Sequence, residues 1–167
     1  MLAILCVVSE IIISPGPLLK TQGTPRSSFV NMYGFNLSLM VRVRSSLVLY
    51  TATEYACNLR AFGNVADSWS WDFWVLATKQ EGPILAYVGG GLSFGQDPYG
   101  NPYEKAFPYA SCFGPGGTTG LIFFPSEMIG VSFWLSGRAY HYTRALGWTI
   151  SAMSIADEMG IGMAVRF

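Results

Sequence analysis

The sequence predicts a single all-β domain over residues 1–167: an eight-stranded, antiparallel, up-and-down transmembrane β-barrel. Three observations carry that prediction. Long segments alternate large apolar residues with small or polar ones at a period of two, the period of a strand rather than a helix. Charged residues are only 12% of the 167, while aromatics are 15% and hydrophobic residues 51%. The connections between segments alternate between long and short. A soluble domain carries roughly 25% charged residues and needs them on its surface, so a chain this poor in charge suits an outer surface that meets lipid.

The C-terminal segment states the pattern most compactly. Met159, Ile161, Met163, Val165 and Phe167 fall on one side, and Gly160, Gly162, Ala164 and Arg166 on the other. A soluble sheet would turn the apolar side to a core. A transmembrane barrel turns it to lipid and leaves the small or polar side for the lumen.

Composition narrows the alternatives. The formal net charge is zero, which leaves no basic footprint for a nucleic-acid partner. A membrane helix needs about 20 consecutive apolar residues; residues 1–19 are broken by Glu10, Pro15 and Pro17, and residues 121–135 by Pro125, Ser126 and Glu127. Cys6, Cys57 and Cys112 have no CxxC spacing, so neither a zinc site nor a disulfide framework is implied. Cys112 falls in an expected loop, and no metal or other cofactor is implied. Residues 1–13 are apolar but lack a basic start, and Ser14-Pro15-Gly16-Pro17 makes a poor cleavage site, so no secretory leader is expected there.

The segments follow in order. Residues 1–14 form a first strand, with Ala3, Leu5, Val7, Ile11 and Ile13 on one face and Glu10 on the other. Residues 14–28, rich in Pro, Gly and Thr, read as a loop. Residues 29–43 alternate most clearly: Phe29, Tyr33, Phe35, Leu37, Leu39, Val41 and Val43 against Met32, Gly34, Asn36, Ser38, Met40 and Arg42. That face is as long as the roughly 9–11 residues a tilted strand needs to cross a bilayer, whereas a soluble strand averages about 5–6. A turn at 44–46 leads to a strand over 47–59, a loop over 60–67 and a strand over 68–78. A polar turn at 79–83 precedes a strand over 84–95, whose inner side carries Gly89, Gly91 and Gly95. Residues 96–117 read as a long loop, 118–124 as a strand, 125–127 as a tight turn and 128–142 as a strand. A loop over 143–156 precedes the last strand. Long connections after the first, third, fifth and seventh strands, and short turns after the others, match the loop asymmetry of outer-membrane barrels.

With eight strands counted, the chain resembles the small eight-stranded outer-membrane barrels of the OmpA-like and opacity-protein type. The resemblance rests on residues 29–167, and within them on Ala86-Tyr87-Val88-Gly89-Gly90-Gly91, on 120–127 and on 160–167. It implies residence in the bacterial outer membrane among its lipids and lipopolysaccharide. It also implies that Phe167, the closing aromatic, is an assembly signal read by the barrel-assembly machinery.

Candidate functional residues fall into three groups. Glu10, Arg42, Glu54, Asp72, Arg138 and Arg166 take the inner parity and make a polar lumen, with Arg42 and Arg166 near the short turns and Glu54 and Asp72 placed to meet Arg138. Phe29, Tyr33, Tyr55, Trp69 and Trp71 lie toward the loop ends and read as an interfacial aromatic girdle. His141, Thr143 and Asp157 share the outer parity, and antiparallel pairing could bring a base, a hydroxyl and a carboxylate together. Arg138-Ala139-Tyr140-His141-Tyr142-Thr143 is similar to the His-x-Ser segment of lipid A deacylases, although Thr143 replaces the serine, Arg144 stands where that family has Asn, and Glu158 faces inward. The expected function is an integral outer-membrane protein with a structural or surface-interaction role, its lumen filled by polar side chains and its long loops open to extracellular ligands. A lipid A deacylase-like hydrolase and a porin-like narrow pore are the competing readings.

Overall fold

A computed structural model of the chain describes residues 9–24, 27–57, 67–98, 109–145 and 148–167. Eight strands follow one another: β1 (Glu10–Thr24), β2 (Ser27–Arg44), β3 (Leu47–Cys57), β4 (Asp67–Glu81), β5 (Ile84–Pro98), β6 (Tyr109–Phe123), β7 (Ile129–Ala145) and β8 (Trp148–Arg166). Each is antiparallel to its sequence neighbour, and β8 returns to β1, so the sheet closes without edges. Closure is what allows a sheet to satisfy its backbone groups in a medium without water.

The alternation read from the sequence is the alternation of the wall. On β2, Met32, Asn36, Ser38 and Met40 are buried in the lumen, while Tyr33 and Phe35, on the other face, are 53% and 52% exposed. Exposed Trp71, Phe73, Val88, Leu92, Leu121, Phe133, Leu135 and Ile161 continue this apolar exterior around the barrel. Large apolar side chains outside and Ser, Asn, Asp, Glu and Arg inside invert the polarity of a soluble domain. The inner parity is even on every strand except β5, where it is odd: Leu85, Tyr87 and Ser93 are buried. The switch occurs at the β4–β5 turn, where Gly82 has φ of 56°, a conformation that glycine adopts without steric penalty.

Four expectations need correction. Residues 14–24 are strand, not loop: β1 pairs with β2 from Glu10↔Arg42 to Gln22↔Val30. The pairing with β8 is interrupted instead, stopping after Ile13↔Val165 and resuming at Leu18↔Gly160. Proline lacks the N–H that a ladder needs, so Pro15 and Pro17 break one ladder and leave the other intact. Second, β6 starts at Tyr109 and β8 at Trp148, so much of 96–117 and 143–156 is strand and Cys112 is buried within β6 rather than in a loop. Third, only residues 58–66 and 99–108 are long connections at the loop end. The strands flanking 25–26 and 146–147 continue until two residues separate them, so the connections after β1 and β7 are short. The turns between Arg44 and Leu47, at Gly82-Pro83 and over 124–128 lie where expected. Fourth, the lumen is not uniformly polar. Ile12, Met40, Val48, Tyr50, Trp74, Leu76, Leu85, Tyr87, Ile122 and Trp134 belong to one buried apolar cluster.

That cluster packs by alternating large and small residues around the wall. Tyr87 lies opposite Gly120, Gly120 opposite Trp134, and Trp134 opposite Gly160. A Cβ at Gly160 would collide with the Trp134 indole, and one at Gly120 with the Tyr87 phenol ring. The rings occupy the space that the glycines leave, which is how a bore only wide enough for side chains is filled.

Candidate functional site

The inner-parity charges collect in two clusters with the apolar layer between them. Reading away from the short turns, β2 presents Arg42, Met40, Ser38 and Asn36, β3 presents Val48, Tyr50, Ala52 and Glu54, and β4 presents Leu76, Trp74 and Asp72. At the short-turn end Glu10 holds two arginines, with Arg42 Nε 2.7 Å from Oε2 and Arg166 Nε 2.6 Å from Oε1. Toward the loop end Arg138 is the hub. Its Nε donates to Asp72 Oδ1 at 2.9 Å and its Nη2 to Glu54 Oε1 at 2.5 Å. It also pairs with Asp72 Oδ2 and Glu158 Oε1.

One guanidinium thereby ties β3, β4, β7 and β8 together. Its neighbours complete the shell: Asn36 Nδ2 donates to Glu54 Oε1 at 3.1 Å and Ser70 Oγ to Glu54 Oε2 at 2.9 Å. The guanidinium lies 5.2 Å from the Trp74 ring, which stacks on Tyr50 at 5.3 Å with the planes 14° apart. Buried charges persist only when paired and hydrogen-bonded; Glu54 and Asp72 meet both conditions, whereas Glu158 is paired with Arg138 but neither of its oxygens has a hydrogen-bond partner among the described residues.

Glu158 and Lys20 belong to the same interior although neither is among the six residues picked from the sequence. Lys20 Nζ donates to Ser68 Oγ at 3.0 Å and lies 5.7 Å from the Tyr140 ring, and Gln22 Nε2 donates to the Tyr142 hydroxyl at 2.9 Å. Parity alone places Glu158 inside, because it is an even residue on the same strand as Arg166. Lys20 was hidden by the prolines that make its segment look like a loop.

Of the residues expected to form a girdle, Tyr33, Tyr55, Trp69 and Trp71 are on the exterior, and Phe29 has its side chain outside the described residues. Tyr55 is paired in register with Trp69, and Trp69 meets Trp71 edge-on at 5.2 Å. Their indole N–H groups are satisfied locally, Trp71 Nε1 by Thr53 Oγ1 at 2.9 Å and Trp69 Nε1 by Gln96 Oε1 at 3.3 Å.

The register does not bring the outer His141 and Asp157 together. His141 is paired with Met153, whereas Asp157 is paired with Gly137 on one side and Thr21 on the other. Four register positions at roughly 3.3 Å each hold His141 and Asp157 about 13 Å apart along the strand. His141 instead meets the Phe113 ring edge-on, centroids 5.8 Å apart. The side chain of Thr143 lies outside the described residues. Phe167 is exposed on the outer face, and its backbone exchanges hydrogen bonds with Ile11 at 2.8 and 3.2 Å, which joins the end of the chain to β1.

No protein-family model matches the sequence, and no curated protein matches it significantly. Its fold matches solved bacterial outer-membrane barrels. Neisserial surface protein A superposes with a TM-score of 0.73 at 13% identity, over 94% of this chain and 97% of that one. Ail, the attachment invasion locus protein of Yersinia pestis, gives 0.64 at 14% identity over 95% and 98%, and has also been solved with the heparin analogue sucrose octasulfate. OprG of Pseudomonas aeruginosa gives 0.61 at 8% identity over 96% of each chain. At such identities the likeness is one of fold: a closed, eight-stranded barrel of the outer-membrane type.

Proposed function

We propose, from the premise of an outer-membrane-type barrel, that this chain is an integral outer-membrane protein with a structural or surface-interaction role, a sealed bore and its recognition carried at the loop end. The observation that carries the reading is the inverted polarity of the wall. Residues such as Phe73, Val88 and Leu135 are more than half exposed, while Glu54, Asp72, Arg138 and Glu158 are buried. In water that arrangement would expose far more contiguous apolar surface than a soluble monomer tolerates; in a bilayer it is the favourable one.

Residues 58–66 and 99–108 leave the barrel at the same end. Their sequences, Asn58-Leu59-Arg60-Ala61-Phe62-Gly63-Asn64-Val65-Ala66 and Tyr99-Gly100-Asn101-Pro102-Tyr103-Glu104-Lys105-Ala106-Phe107-Pro108, are aromatic and nearly neutral. Aromatic side chains supply rigid amphipathic contact area of the kind enriched at binding surfaces. They carry no basic cluster for a sulfated polymer such as the analogue bound by Ail. Outer-membrane lipids and lipopolysaccharide cover the wall, and the barrel-assembly machinery inserts it with Phe167 as the terminal signal.

The test is electrophoretic. Folded protein in detergent runs ahead of boiled protein, and replacing 99–108 with a short Gly-Ser turn keeps that mobility shift while removing binding to the target surface. A chain that partitions into water without detergent, or shows one mobility before and after boiling, sinks the membrane reading.

A further inference from the structure

At the short-turn end of the bore the charge does not balance. Arg42 Nε and Arg166 Nε both lie against the carboxylate of Glu10, one beside each oxygen, without a hydrogen bond between them. Among the described residues of the bore, two guanidinium ions share the one carboxylate of Glu10 there. The exposed Arg44 lies close by in sequence on the same rim. The Nη2 groups of Arg42 and Arg166 are buried and have no hydrogen-bond partner among the described residues. A guanidinium has no acceptor and cannot shed its charge, and buried donors left unpaired are costly.

Their orientation is fixed from two directions. The Arg166 guanidinium lies 3.7 Å from the Phe124 ring centroid, so one face of the ion is covered and its donors are left to the edges. The Glu10 carboxylate lies 2.7 Å from Arg42 Nε and 2.6 Å from Arg166 Nε. The side chains of Glu10, Arg42 and Arg166 retain 13%, 15% and 19% of their exposure, so solvent reaches the edge of the cluster while the Nη2 atoms themselves are covered. Beside them, Ile12 is paired in register with Arg166 and Val48 with Arg42, and Ile122 and Phe124 belong to the same buried apolar cluster. The result is a partly closed, positively charged mouth with apolar neighbours and two guanidinium groups whose Nη2 donors are unpaired among the described residues.

We propose that this mouth is a binding site for a phosphate-class oxyanion, held by the Nη2 groups of Arg42 and Arg166, with Glu10 and Phe124 acting as positioning residues. Tetrahedral oxyanions suit it because guanidinium edges match oxygen pairs on phosphate and form charge-assisted hydrogen bonds. A free phosphate and a lipid-headgroup phosphate share that chemistry. A spherical halide cannot satisfy two donor edges in the same way.

The experiment uses the whole barrel folded in an uncharged detergent. Its unfolding midpoint is read from the boiled-to-unboiled mobility shift while inorganic phosphate replaces chloride at constant ionic strength. The midpoint should rise saturably with phosphate, because a ligand that binds only the folded state stabilises it by mass action. Arg42→Gln and Arg166→Gln should each raise the half-saturating phosphate concentration about tenfold, the loss expected for one charge-assisted hydrogen bond. Arg44→Gln should change it much less. Glu10→Gln should lower it even where it lowers the starting midpoint, a response a purely structural carboxylate would not give. A second arm reconstitutes the barrel in phosphatidylcholine vesicles with and without phosphatidylglycerol. A rise confined to the anionic vesicles and abolished by Arg42→Gln assigns the site to headgroup phosphate, and a rise with free phosphate assigns it to the soluble ion. Equal midpoints in phosphate and chloride together with equal midpoints in the two vesicles overturn the proposal, as does a phosphate response that survives both arginine substitutions.

Discussion

Ser14 Oγ lies 2.6 Å from Ser132 Oγ, a hydrogen bond that passes over β8 and joins β1 to β7. It does so at Gly162, the residue paired with Ser132, where an added Cβ would sit 3.0 Å from the Ser132 hydroxyl. The bond spans the stretch in which the β1–β8 ladder is interrupted, so two side chains hold a seam that two prolines have opened. Ser132→Ala leaves the Ser14 hydroxyl unpaired in the bore and should destabilise the barrel by about 1 kcal/mol. Hydrogen exchange should accelerate first in the peptides containing Ile13 and Val165. Equal acceleration in β3 and β4 would show that the bond does not act at the seam.

Arg138 faces three carboxylates, those of Glu54, Asp72 and Glu158. Arg138→Ala should therefore cost on the order of 3–5 kcal/mol, the penalty for breaking a buried ion pair from one side. Neutralising the partners as well, with Arg138→Met combined with Glu54→Gln, Asp72→Asn and Glu158→Gln, should recover most of the loss. Urea unfolding in detergent micelles measures both. A single variant as stable as the starting protein would mean that the hub is not a structural clamp.

Gly160 leaves the space that the Trp134 indole fills. Gly160→Val should destabilise by about 1–3 kcal/mol through overpacking, and Trp134→Ala in the same chain should remove the part due to the indole while the contact with the Pro17 carbonyl oxygen remains. A double-mutant cycle measures the coupling; additive losses would place the valine penalty elsewhere.

The apolar layer predicts electrical silence. Protein reconstituted in planar bilayers should show no steady conductance, because Met40, Val48, Leu76, Leu85 and Ile122 fill the bore between the two charged clusters. Replacing Leu76, Leu85 and Ile122 together with alanine should admit small ions. Steady single-channel steps from the unaltered protein would restore the narrow-pore reading.

Deletion of Phe167 removes the two backbone hydrogen bonds to Ile11 along with the terminal aromatic ring. Insertion in cells should fall more than refolding yield in detergent does. Equal loss of both would reduce Phe167 to a strand end.

What could be read from the chain was what a period of two encodes. Among the described side chains of β2, β4 and β8, the apolar residues assigned outward and the small or polar residues assigned inward lie on those faces, and Arg138 meets Glu54 and Asp72 as depth along the strands implied. Two kinds of information were not legible. A proline in a barrel strand can lose one ladder while keeping the other, so Pro15 and Pro17 marked a local break rather than a loop. Register depends on where each strand is anchored to its neighbour, and that is why His141 and Asp157 share a parity and a strand pair yet stand four positions apart. The short connections after β1 and β7 have the same origin, because composition shows where a strand can end and not how far its neighbour carries it.

The side chains that fill the bore also bear on how abundant such a protein can be. A pore taxes the permeability barrier in proportion to its copy number. Under the proposed function a filled cylinder adds no leak, so copy number is limited by membrane area and biosynthesis and not by permeability.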